Sequence, residues 1–192
     1  PTIIASWDRV RNGKEPIQPD SELSHASNFL YMLTGNKPDK EMERVFDVCL
    51  ILHADHTFNA STFAAREVAS TRAHMYSAVS AAVGALSGEL HGGANYEVMK
   101  MLLEIKDESK VPDWVKSKIE NGDRIMGMGH AVYKTVDPRS MVLKELSKKL
   151  SEKTGLPWYD ITKKVEETTS EIMKNRKERD IFPNVDLYSA SV

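Results

Sequence analysis

Little in this chain would staple it or tie it to a surface. A single cysteine among 192 residues, Cys49, excludes an intramolecular disulfide framework. It stands in the apolar run VFDVCLIL, where it reads as a core thiol, and it suits a reducing, cytoplasmic compartment. No uninterrupted apolar run approaches the roughly 20 residues that a membrane-spanning helix needs. The opening PTIIASWDRVRNGKEP lacks the charged-then-apolar order of a secretory signal and reads as an irregular segment. A formal net charge of -2 leaves no basic face for nucleic acid or an anionic membrane. His53 and His56 lie close together, but with one cysteine and no HExxH pattern no metal is expected. Internal repeats are missing, and so is any useful alternating strand pattern, apart from short extended pieces near Ile3 and Ile125.

What remains is helical patterning almost throughout, so the expected class is all-α. Asp20 and Ser21 are candidate caps for a helix with the stripe Leu23, Phe29, Leu30 and Leu33, ended by Gly35 and Asn36. Pro38 suits the first turn of the next, which carries Met42, Val45, Phe46, Cys49 and Leu52 inward and runs out near His53. From Ser61 to Ser87 the chain turns to Ala, Ser and Gly, as in thin helices that pack closely on each other or on another subunit. A further helix fits Asn95 to Ile105, with Val98, Met99, Leu102 and Leu103 inward. Pro112 opens a short one stopped by Asn121 and Gly122. Asp137 and Pro138 read as cap and first turn of another that carries Leu143, Leu146 and Leu150. The last long helix runs from about Tyr159 to Arg176, its Lys and Glu facing solvent. The closing VDLYSASV looks like the start of a helix. The composition shift at Gly88 to Gly93 divides a small-residue part, 1–91, from a more charged part, 92–192.

Three clusters carry ionisable groups on bends: HGGAN at His91, GMGHAVYK at His130 and PNVD at Asp186. Two imidazoles that can donate hydrogen bonds and a carboxylate that can take a proton make an acid/base set suited to forming an enol. His91 precedes a helix start, where the dipole disfavours a second positive charge and so favours a neutral ring. Gly127 and Gly129 expose backbone to a flat or phosphorylated ligand, although the spacing matches no established phosphate loop. Arg139, in the first turn after Asp137–Pro138, suits a carboxylate. Each residue taken alone has an ordinary reading as a turn, cap or surface group.

Taken together, LILHADHTFNAST, LHGGANYEVM, GMGHAVYKTVDPRS and FPNVDLYS resemble the citrate synthase family in its shorter bacterial and archaeal form, in the family's order and spacing and over essentially the whole chain. The resemblance implies part of a helical large domain (1–91) with dimer-interface helices, and a small domain (92–192) holding the CoA loop and the catalytic aspartate. It implies condensation of acetyl-CoA with oxaloacetate and water to citrate and CoA, in a homodimer, without cofactor or metal. By motif, Asp186 is the base toward the acetyl methyl group and His91 the hydrogen-bond donor to the thioester oxygen. His130 polarises the oxaloacetate carbonyl, with His56 and Arg139 as further oxaloacetate ligands. Ile125, Met126, Gly127, Met128 and Gly129 match the CoA-recognising loop, and Lys134 falls where a basic residue faces CoA phosphates. Two alternatives stand beside this: 2-methylcitrate synthase, which uses propionyl-CoA, and a non-catalytic CoA-binding helical module. Family members run longer at both ends and carry two further arginines, so the chain is expected to be a fragment with little activity alone.

Overall fold

The computed structural model describes residues 1–54, 57–88, 91–129, 135–176 and 180–192. Within them it is all helical, with no strand; an isolated antiparallel bridge joins Met128 to Pro183. No helix of the described residues is long and apolar enough to cross a membrane. The chain forms two compact units, Pro1–Asp55 and His56–Val192.

The first unit holds α1 (Thr2–Arg11), α2 (His25–Thr34) and α3 (Lys40–His53). The opening segment, expected to be irregular with an extended piece near Ile3, is instead a helix. Its apolar residues face outward: Ile3, Ile4, Trp7 and Val10 are exposed, and only Ala5 is buried. Their spacing is nevertheless helical, so the sequence does carry a stripe, one that faces outward in the fold. The cap of α2 is Ser24, whose hydroxyl accepts from the Ser27 N–H, rather than Asp20 or Ser21. Asp20 shapes the approach: its N–H donates to Asn28 Oδ1, and Asn28 Nδ2 donates back to its carbonyl. Gly35 ends α2 in the left-handed conformation, as expected. Asp39 caps α3, so Pro38 lies before the helix and not in its first turn. Stacked Phe29 and Phe46 rings, 5.0 Å apart, join α2 to α3.

In the second unit α4 (Ala60–Ser70) and α5 (Met75–Leu86) pack along each other, as their small residues allow, and touch the other helices little. Their outer faces expose Phe63, Tyr76, Val79 and Val83. The remainder is a bundle of α6 (Ala94–Ile105), α7 (Val111–Glu120), α8 (Pro138–Thr154), α9 (Trp158–Asn175) and α10 (Val185–Ser189), with a 3-10 turn at Glu108–Lys110. Its core is Val98, Leu102, Ile105, Val111, Val115, Leu143, Ile161, Val165, Leu187 and Tyr188, all at or near zero exposure. Leu103, expected inward, is exposed, and Met101 is buried in its stead. The division expected at 91/92 falls inside this second unit, at the turn between α5 and α6.

Candidate active site

His91 sits in the turn between α5 and α6. Its own N–H donates to the Gly88 carbonyl at 3.0 Å, and the next N–H, of Gly92, donates to the Leu86 carbonyl at 2.9 Å. A Cβ on Gly92 would lie 2.2 Å from that same carbonyl oxygen, so the first glycine of HGGAN serves close backbone packing on the end of α5. The His91 ring reaches α4: the Ser61 N–H donates to Nε2 at 3.2 Å, and the Ser61 hydroxyl lies 3.0 Å from the same atom. An amide N–H can only donate, so Nε2 must offer a lone pair. The ring that does so is neutral and carries its hydrogen on Nδ1. The expected neutral donor is thus arranged, but by the first turn of α4 and not by the α6 terminus that follows it in sequence. Ser61 went unnoticed because its partner lies 30 positions on.

Asp186 stands in the first turn of α10, half-buried. This five-residue helix is held from several sides. Asn184 caps it, accepting from the Asp186 N–H at 2.9 Å. The Tyr188 hydroxyl, on a fully buried side chain, donates to Glu166 of α9, which also pairs with Lys144 of α8 at 2.7 Å. Burial and the Glu166 carboxylate raise the Tyr188 phenol far above its ordinary value, so it stays a donor. Ser191 meets Ser147 of α8 at 2.7 Å, and Asn95 of α6 donates to Ser189 at 2.6 Å.

The loop 125–129 is welded to the segment before α10. The Gly129 N–H donates to Phe182 O at 2.7 Å, the Asn184 N–H to Gly127 O at 2.9 Å, and Asn184 Nδ2 to Gly129 O at 2.9 Å. These backbone groups hold the aspartate segment. Gly127 has φ +81, and a Cβ there would stand 2.8 Å from the Leu187 Cα. It is glycine because α10 presses against it. Ile125 and Met128 are buried, while Met126 is half-buried.

Beside this loop opens a cleft of about 700 Å³, walled by the loop itself, the start of α6, the ends of α7 and α9, and Asn184. Two cations line it, Arg124 and Arg176, neither of which stands in a motif that marks it as a ligand residue. Arg139 donates through Nη2 to Asp137 Oδ2 at 2.7 Å and through Nε to Asp137 Oδ1 at 3.0 Å. Asp137 is 2% exposed, so the fork-shaped pair fixes the guanidinium plane. His56, His130 and Lys134 lie outside the described residues. No cluster of three or more metal-ligating side chains occurs among the described residues.

The family model for "Citrate synthase, C-terminal domain" matches residues 1–192. A citrate synthase of Synechocystis is 48% identical over the whole chain, which covers 48% of that protein. The crystal structure of citrate synthase from Pyrobaculum aerophilum superposes with a TM-score of 0.87 at 42% identity, over 98% of this chain and 47% of that one. The citrate synthase of Thermoplasma acidophilum, solved as a ternary complex with carboxymethyl coenzyme A and oxaloacetate, superposes with a TM-score of 0.86 at 36% identity, over 99% of this chain and 50% of that one. The chain spans about half the length of the relatives it matches. With its fold, its motifs and its full-length match in agreement, the chain belongs to the citrate synthase family.

Proposed function

We propose that the protein carrying this chain condenses acetyl-CoA with oxaloacetate and water to citrate and CoA. The observation that carries this reading is the Ser61 N–H bond to His91 Nε2, which leaves Nδ1–H as a donor on a neutral ring. A thioester methyl is too weak an acid for a carboxylate alone. Deprotonation becomes feasible when the carbonyl oxygen is stabilised as charge reaches it. Asp186 takes a methyl proton, the C–H electrons become the C=C bond of the enol, and His91 holds the oxygen through its Nδ1–H. The enol carbon then attacks the ketone carbon of oxaloacetate, whose oxygen takes a proton from His130. Water cleaves the thioester of the product, and CoA leaves as the thiol.

Oxaloacetate carries two carboxylates; Arg139, with its plane set by Asp137, and His56 suit them. Arg124 and Arg176 suit the phosphates of CoA in the cleft beside the loop, with Lys134 as a further cation. No cofactor or metal takes part. The exposed apolar residues of α4 and α5 support a homodimer, and a cytoplasmic setting suits the single cysteine.

The test is oxaloacetate-dependent release of CoA thiol by the whole protein, with acetyl-CoA turned over faster than propionyl-CoA. Asp186→Asn and His91→Gln should each lower kcat by about 10²–10⁴-fold. A protein that releases no thiol, or an Asp186→Asn variant as fast as the parent, would defeat the proposal.

A further inference from the structure

We propose that Asn95 and Ser189 are positioning residues, forming a strut that sets the separation between the His91 donor and the Asp186 base. The inference rests on the function proposed above. Asn95 lies in the first turn of α6, four residues after His91, and Ser189 ends α10, three residues after Asp186. Its Nδ2 donates to the Ser189 hydroxyl at 2.6 Å across 94 positions of sequence. The hydroxyl in turn lies 3.4 Å from the carbonyl of Asp186 itself. Side-chain ties from α10 and its flanking residues Asn184 and Ser191 also run to α8, to α9 and to the loop 127–129. The strut runs instead to the helix that leads out of the His91 turn.

Enolisation needs donor and base on one acetyl group at the same moment, so their spacing enters the rate directly. Neither Asn95 nor Ser189 touches the reacting atoms in this reading. Their removal should leave the chemistry intact but loosen its geometry, and misplacement by about 1 Å can cost about 100-fold.

The experiment uses the whole enzyme with Asn95→Ala, Ser189→Ala and the double variant. Each single change should lower kcat about 10- to 100-fold, leave KM for oxaloacetate within about twofold, and be no worse in combination. The deciding readout is the primary isotope effect on kcat with methyl-deuterated acetyl-CoA. A misplaced base slows proton abstraction selectively, so the effect rises. A smaller fraction of folded enzyme lowers the rate but leaves the isotope effect where it was. Ser189→Ala removes only one oxygen and carries the readout if Asn95→Ala folds poorly; Lys100→Ala, exposed on the same helix, should be neutral.

An unchanged isotope effect, or additive losses in the double variant, would overturn the strut. Asp186→Asn is assayed alongside. If it is inactive while both single variants keep kcat within about twofold, the strut alone fails. If it turns over normally, the proposed function fails first.

Discussion

Single side chains here act through what their neighbours leave them able to do. The Ser61 N–H makes His91 a one-way donor, and Asp137 makes Arg139 a fixed plane instead of a swinging charge. Cys49 shows the same principle without catalytic purpose. It is half-buried on α3, and burial pushes its thiol from 9.0 up to about 11. The folded state therefore holds this proton more tightly than the unfolded chain does. Any stability that follows is lost as pH rises from 9 toward 11. A thiol held at about 11 leaves about 100-fold less thiolate at neutral pH, so alkylation by iodoacetamide at pH 8 should be slower by about that factor than in urea. Equal rates in the two conditions would show that the thiol is not shielded.

At the level of elements, α10 matters most. Five residues make too short a helix to stand by itself, since its hydrogen bonds barely offset the order they require. It persists because Leu187 and Tyr188 are buried and because partners in several elements grip its ends. The Leu187 backbone presses on Gly127, which ties the loop 125–129 to the position of Asp186. Gly127→Ala is expected to cost about 2–4 kcal/mol, from the positive φ and from contact with backbone that cannot move aside. Urea unfolding of the whole protein measures this. A loss below about 0.5 kcal/mol would mean that the contact is not close in solution.

For the whole molecule, the exposed apolar surface is the dominant feature. Ile3, Trp7, Phe63, Tyr76, Val79 and Val83 are each more than half exposed, and large apolar groups grouped on a surface favour association. The 192-residue chain produced by itself is accordingly expected to self-associate at micromolar concentration. Light scattering on a sizing column gives the mass directly, and a clean monomer would contradict the expectation.

Helix caps and periodicity made most of the fold legible in advance. Asp137–Pro138, Gly35 and Asn121–Gly122 are local signals, and the helices begin and end within a residue or two of them. The motifs pointed to the family in the same way, because residue type and spacing are read directly from sequence. Local signals failed where the deciding contact was distant. The spacing of Ile3, Ile4, Trp7 and Val10 is helical, but no side-chain cap marks the start of α1, and in α6 the bundle buries Met101 and leaves Leu103 exposed. The residue order alone determined the all-α class, the ends of several helices and the resemblance to the family. Only tertiary packing decided which helix end keeps His91 neutral, why Gly92 and Gly127 must be glycine, and that Asn95 reaches Ser189. Gly92 answers to the nearby Leu86 carbonyl, but the others depend on atoms brought together across 30 to 94 positions, a distance that no sequence window spans.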